Sequence, residues 1–187
     1  MVLLYTPELE FGIKMPDFNL MGIDNSHWDL KRCMGKNGLV VMFICNHCPY
    51  VKSIQDKLVE DALSMKEFGV NVVAIMSNDV NDYPEDSFEN MQLIAKTKNY
   101  PFPYLLDKTQ HIAKSYRAVC TPDIFGLDNQ GKLHYRGRLD SSGSDNSLQS
   151  LPRDLVMSMQ QLVNEGKITL PQIPSMGCSI KWIDSDS

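Results

Sequence analysis

Six consecutive apolar residues, Leu39-Val-Val-Met-Phe-Ile44, run directly into Cys45-Asn46-His47-Cys48 and then into a segment of helical periodicity. This junction constrains the fold more than any other part of the chain. An unbroken apolar run of this length is the pattern of a strand buried on both faces. Beyond it, Val51, Ile54, Leu58, Ala62 and Met65 recur at helical spacing with Lys, Gln, Asp and Glu between them, the signature of an amphipathic helix. Gly69 stops that helix, and Val70 to Met76 reads as a second buried strand. A βαβ unit therefore spans about residues 39 to 77, with the usual right-handed crossover.

The remaining elements build outward from this unit. Asp17 to Leu20 and Ser26 to Trp28 read as short N-terminal strands, and residues 87 to 97 as a helix. Tyr100-Pro-Phe-Pro-Tyr-Leu-Leu-Asp107 leads into a short helix at 109 to 117. Ile124 to Leu127 and Leu133 to Arg136 read as a hairpin whose turn chemistry is Asp128-Asn129-Gln130-Gly131. The last helix carries Leu148, Leu151, Leu155, Met159 and Leu162 on one face. Pro152 restricts its start to the first turn, and Gly166 ends it. Residues 167 to 187 form a Pro- and Ser-containing tail with Cys178 and Trp182, expected to dock on the rest. With 187 residues and no repeat or low-complexity linker, the chain reads as one domain, α/β with a mixed sheet.

The chemistry lies where strand passes to helix. A helix N-terminus presents unpaired N–H groups and a partial positive charge, both of which favour a thiolate. A cysteine there can fall from about 8.5 to between about 3.5 and 7.5. Cys45 and Cys48 are spaced so that their sulfurs meet within one turn, and His47 between them adds a further positive group. Pro49 suits the first helical turn. On these grounds Cys45 is expected at the helix start as the attacking thiol, with Cys48 one turn in as the resolving thiol. Thr121-Pro122 at the head of the hairpin is the second signal, because an X-Pro bond at such a place can be cis.

Other candidates read as ordinary structure. Cys33 sits in a polar segment, and His27, His111 and His134 are singletons suited to exposed or locally bonded roles. Arg136 and Arg138 read as surface charge. Zinc would need a second ligand pair, which the scattered Cys and His do not supply, so no metal and no cofactor are expected.

Composition narrows the class. A net charge of −5 argues against nucleic acid or anionic membrane as partner. The first ten residues lack a basic region and carry Glu8 and Glu10, so the expected location is cytoplasmic. Thiols stay reduced there, and an odd count of five cysteines fits catalytic and core roles better than a disulfide framework.

Several segments resemble a known superfamily. Pro16-Asp-Phe18 and Leu20 following Phe11-Gly12, together with Tyr100-Pro-Phe-Pro-Tyr-Leu-Leu-Asp107 and Ile112-Ala-Lys-Ser-Tyr116, resemble the alkyl hydroperoxide reductase/thiol-specific antioxidant, or redoxin, superfamily. Phe43-Ile-Cys-Asn-His-Cys-Pro-Tyr-Val-Lys52, Ser77-Asn-Asp79, Tyr83-Pro-Glu-Asp86, Cys120-Thr-Pro-Asp123 and Pro174-Ser-Met-Gly-Cys-Ser-Ile-Lys-Trp182 are similar to its bacterial peroxiredoxin-like branch. The resemblance implies a thioredoxin-like fold, a central mixed sheet flanked by helices with short N-terminal strand additions and a C-terminal tail. It also implies cis Pro122 opposite the Cys45–Cys48 pair, and thiol redox activity. Peroxiredoxins place a Thr three residues before the peroxidatic Cys; here Cys45 stands there relative to Cys48. Their activating Arg is replaced by Pro122. Dithiol–disulfide exchange is therefore expected, with a thiol peroxidase or a Cu(I)-binding module as alternatives. Partners would be protein or small-molecule disulfides and thiols, and a reductant. The Pro122 loop would seat an extended partner. Cys120 and Cys178 are candidate auxiliary thiols, Cys120 the favoured one.

Overall fold

The computed structural model describes residues 3–7, 10–142 and 151–183. In chain order its elements are β1 (Leu3–Tyr5), β2 (Asn19–Gly22), β3 (His27–Asp29), α1 (Leu30–Cys33), β4 (Gly38–Phe43), α2 (Pro49–Glu67) and β5 (Val70–Met76). A single 3-10 turn at Pro84–Asp86 precedes α3 (Phe88–Thr97), β6 (Tyr104–Leu106), α4 (His111–Tyr116) and β7 (Cys120–Thr121). The chain continues through β8 (Asp123–Asp128), β9 (Leu133–Arg136), α5 (Asp154–Glu165) and β10 (Met176–Ser179).

Seven strands form the main sheet in the order β3-β2-β6-β5-β4-β8-β9. The β4–β5 and β5–β6 pairs are parallel, and the other pairs are antiparallel. β4 lies near the middle and is buried along its whole length, as its apolar run demands. Its side chains alternate between two cores: Val40 and Met42, followed beyond the strand by Ile44, join one, while Leu39, Val41 and Phe43 join the other. The first core, under α2 and α5, contains Cys45, Cys48 and Cys178; the second contains Cys33. A second sheet of three strands, in the order β1-β10-β7, joins both ends of the chain to the Thr121-Pro122 loop.

Differences from the sequence reading are local. The N-terminal strands begin later, because Asp17 spends Oδ1 on the N–H groups of Phe18 and Leu30. Tyr104 to Leu106 is not merely a lead into a helix but the third parallel strand, a short one between Pro103 and Asp107. The last helix begins at Asp154, so Leu151 and Pro152 precede it; Leu148 lies outside the described residues. The tail carries a strand, β10.

Arg136 is the clearest correction. Read from sequence as surface charge, it is buried, with Nη2 2.9 Å from Asp123 Oδ2. It also donates to the carbonyls of Pro7 and Arg117, while Asp123 accepts from the Val119 N–H. The pair thus clamps the loop that carries Cys120, Thr121 and Pro122. Removing one partner would leave an uncompensated buried charge, at a cost of about 3–5 kcal/mol. Arg138 is half-buried and pairs with Asp154 at 2.7 Å. No helix among the described residues is long and apolar enough to cross a membrane.

Candidate active site

The helix start is not where the spacing alone put it. α2 begins at Pro49, whose fixed φ and missing N–H suit the first helical position. Cys48 is therefore the N-cap residue, with extended backbone (φ −64°, ψ 122°), and Cys45 lies in the turn that joins β4 to the helix. This corrects the expected placement of Cys45 at the helix start and Cys48 one turn in.

Three sulfurs meet here, all of them buried. Cys48 Sγ lies 2.8 Å from Cys178 Sγ and 3.1 Å from the carbonyl oxygen of Thr121. Cys45 Sγ lies 3.3 Å from the Thr121 hydroxyl. The Thr121-Pro122 peptide is cis. Thus Cys45, Cys48, Thr121 and Cys178 stand together, with His47 and Pro122 adjoining. Cys120, favoured over Cys178 as an auxiliary thiol, instead points its sulfur toward the carbonyl of Pro122 at 3.6 Å. The nearer partner comes from β10, whose Cys178 pairs in register with Thr121. By the same pairing the chain's own tail takes one edge of β7, beside the Pro122 loop.

Asp86 organises the turn. One oxygen accepts from the backbone N–H of Asn46 (2.7 Å) and of His47 (3.2 Å). The other accepts from the Asn78 amide (2.8 Å) and pairs with His47 Nδ1 (2.7 Å). Asn46 is also held by the Tyr104 hydroxyl, and the His47 ring stacks on Tyr83 at 5.3 Å. The Asp86 hydrogen bond outweighs burial and raises the His47 pKa, favouring imidazolium. Burial opposes the Asp86 charge, yet its bonds to His47 and Asn78 hold its pKa below the usual carboxylate range. Sequence reasoning assigned no role to Asp86, Asn78, Tyr83 or Tyr104. All four lie in segments that carry the resemblance, but nothing in those segments announces a hydrogen-bonding partner 40 residues away or more.

The thiols diverge sharply. The Cys45 hydrogen bond lowers Cys48 to about 5 against the cost of burial, helped by the Cys178 thiol and the N–H of Val51. Cys45 is pushed well above its ordinary value, first by that same bond to Cys48, then by burial and the Asp86 charge. As a thiol, Cys48 donates to Thr121 O; as a thiolate, it accepts from its two sulfur neighbours instead. One sulfur at the helix N-terminus with two S–H donors is the arrangement that ionises first.

Cys45, His47 and Asp86 also bring ligand atoms within 4.8 Å of one another. Both Asp86 oxygens are already committed, however, one of them to His47 itself, so an ion would have to break the bonds that shape the turn. Beside the site, a cavity of about 280 Å³ lies among Tyr5, Tyr50, Ile54, Pro122, Arg138 and Met176, with no cysteine in its lining.

Residues 11–136 match the AhpC/TSA family, and the chain belongs to it. It is accordingly a thiol-based redox protein of the redoxin superfamily. An uncharacterized conserved protein from Geobacillus kaustophilus is 42% identical over 99% of this chain and 98% of its own, with a TM-score of 0.90. A hypothetical protein from Sinorhizobium meliloti 1021 is 34% identical over 96% and 98%, with a TM-score of 0.88. A putative protein disulfide isomerase from Bacteroides thetaiotaomicron superposes with a TM-score of 0.65 at 20% identity, over 89% of this chain and 96% of its own. That last likeness carries the fold alone: α/β, thioredoxin-like, a mixed central sheet flanked by helices. No curated protein matches the chain.

Proposed function

We propose that the protein is a thiol–disulfide oxidoreductase in which Cys45 and Cys48 cycle between dithiol and disulfide. The observation that carries this reading is the placement of the two sulfurs: Cys48 caps the N-terminus of α2, where free N–H groups favour a thiolate, and Cys45 stands in the turn just before it. A thiolate next to a protonated thiol is what exchange needs, an attacking sulfur and a partner that resolves the mixed disulfide. The roles are the reverse of those expected from spacing: Cys48 attacks and Cys45 resolves. Thr121 orients Cys45 through its hydroxyl, and Pro122 borders the pair. His47 and Asp86 hold the turn, and neither cofactor nor metal enters the step. Both sulfurs are buried, 2% and 0% exposed, so a substrate sulfur reaches them only after local opening. Substrates would be protein or small-molecule disulfides, with a separate reductant, in the cytoplasm.

The test is reduction of an aromatic disulfide by the reduced protein. Wild type is expected to turn over in the presence of an external thiol, and a Cys45→Ser/Cys48→Ser double variant is not. Equal rates for the two would contradict the proposal.

A second reading, thiol peroxidase, is favoured by one observation, a low-pKa Cys48 with thiols ready to condense on a sulfenate. Against it, no arginine among the described residues bonds Cys45 or Cys48, and the nearby Arg136 is committed to Asp123. Slow oxidation by hydrogen peroxide in stopped flow is expected; a rate matching dedicated peroxidases would replace the first reading with the second.

A further inference from the structure

The proposed cycle uses two sulfurs, yet a third is in closer contact with Cys48 than the Thr121 carbonyl is. Cys178 Sγ stands 2.8 Å from Cys48 Sγ. A bonded pair stands at about 2.05 Å, so roughly 0.8 Å of approach separates contact from bond. The fold builds this contact. β10 is paired on both sides, Cys178 with Leu3 of β1 and with Thr121 of β7. Gly177 makes the close approach possible: a Cβ there would meet Thr121 O at 2.1 Å. The Ser175 hydroxyl donates to Pro122 O at 2.8 Å, and the Ile180 N–H donates to Val119 O at 3.0 Å. Beyond the strand, the Lys181 N–H donates to Asn78 Oδ1, on the same side chain that supports Asp86. The strand is thus fixed to the loop and to the network that position the other two sulfurs.

We propose that Cys178 is a third redox-active thiol that exchanges with the Cys45–Cys48 disulfide to give a Cys48–Cys178 disulfide. The proposal rests on the dithiol function above. In the step, the Cys178 thiolate attacks Cys48 Sγ. The Cys48–Cys178 bond forms and the Cys45–Cys48 bond breaks. The electron pair leaves on Cys45 Sγ, which takes up the proton that Cys178 gave up. No electrons enter or leave, so the oxidised centre exists as two isomers of equal oxidation state. In the second isomer the tail strand is tied covalently to the start of α2, and Cys45 is a free thiol.

Tryptic mapping reads this directly, because Cys45 and Cys48 share the peptide 37–52 while Cys178 lies on 168–181. The full-length protein is oxidised with diamide, quenched in acid, alkylated and digested without reduction. The expected map contains peptide 37–52 with an internal disulfide, and also 37–52 cross-linked to 168–181 through Cys48 with Cys45 alkylated. Cys45→Ser, which removes the competing partner, is expected to raise the cross-linked form several-fold. A wild-type map with the internal disulfide and no cross-link overturns the proposal, whether or not the variant folds, and so does a cross-link through Cys45. A wild type that forms neither disulfide overturns the dithiol function itself, which separates that failure from this one.

Discussion

Cys33 and Cys48 lie on opposite faces of the same sheet, in cores of the same kind, and at 3% and 0% exposure they are almost equally buried. Their acidities are shifted in opposite directions. Burial pushes Cys33 up to about 12, and the Asp29 charge adds to it. Cys48 pays the same desolvation and still sits at about 5, because two thiols and the N-terminus of a long helix surround it. Burial therefore sets a penalty common to both thiols, and local donors decide whether it is overcome. Cys120 supports the point from within the site region: it lies next to Thr121 but without such donors, and burial again raises it.

The largest effect expected from this contrast is on exchange rate. Cys48→Ser should slow aromatic disulfide reduction by about 100-fold or more, since the ionised sulfur is gone, while Cys33→Ser should leave the rate within about two-fold. Cys33→Ser should instead cost stability, about 1–3 kcal/mol in urea unfolding, for a buried hydroxyl lacking a designed partner. Comparable rate losses for the two variants would break the distinction between the faces.

An intermediate effect is expected at the acid that shapes the turn. Asp86→Asn should destabilise by about 2 kcal/mol through loss of charge-assisted bonds. The pH dependence has a definite sign. Asp86 is lowered, so its contribution is present above its unfolded value near about 4 and is lost as pH falls through the folded value. His47 is raised, so its contribution is full below about 6.5 and is lost as pH rises through the folded value. The variant's deficit should therefore be greatest between about pH 4 and 6.5, read from urea midpoints across pH. A deficit independent of pH would mean that the charge is not what holds the turn.

The smallest effect concerns one hydroxyl. Thr121→Val removes the bond to Cys45 Sγ that pulls against its raised pKa. Cys45 should then ionise at still higher pH, with Cys48 little changed and stability altered by about 1 kcal/mol. A fall in the Cys45 value would show that Thr121 donates nothing to that sulfur.

What the sequence disclosed follows from how strongly each element repeats. β4, α2 and β5 carry long periodic patterns, and the Cys45–Cys48 pair between them was legible for that reason. The order of the two cysteines was not. Pro49 marks the first helical residue and so makes Cys48 the cap, a local signal outweighed by the expectation that the first cysteine begins the helix. β1, β6 and β10 have three or four residues each, too few to show alternation. Without β10 there was no way to bring Cys178 to Cys48 across 130 residues, and Cys120 was preferred because it neighbours Pro122 in sequence. Asp86 was hidden in the same way, since two of its partners are backbone N–H groups that carry no residue type and a third, His47, lies 39 residues away.

The central claim is that the Cys48 sulfur, at the N-cap of α2, is the one ionised in the reduced protein. Alkylation with iodoacetamide from pH 4 to 10, quenched and mapped by peptide, measures it directly. Cys48 is expected to carry the label at pH 6, with a midpoint near 5, while Cys45, Cys178 and Cys33 label only at much higher pH or after unfolding. Labelling of Cys45 ahead of Cys48 at pH 6, or a Cys48 midpoint at the value of a free thiol, would contradict it.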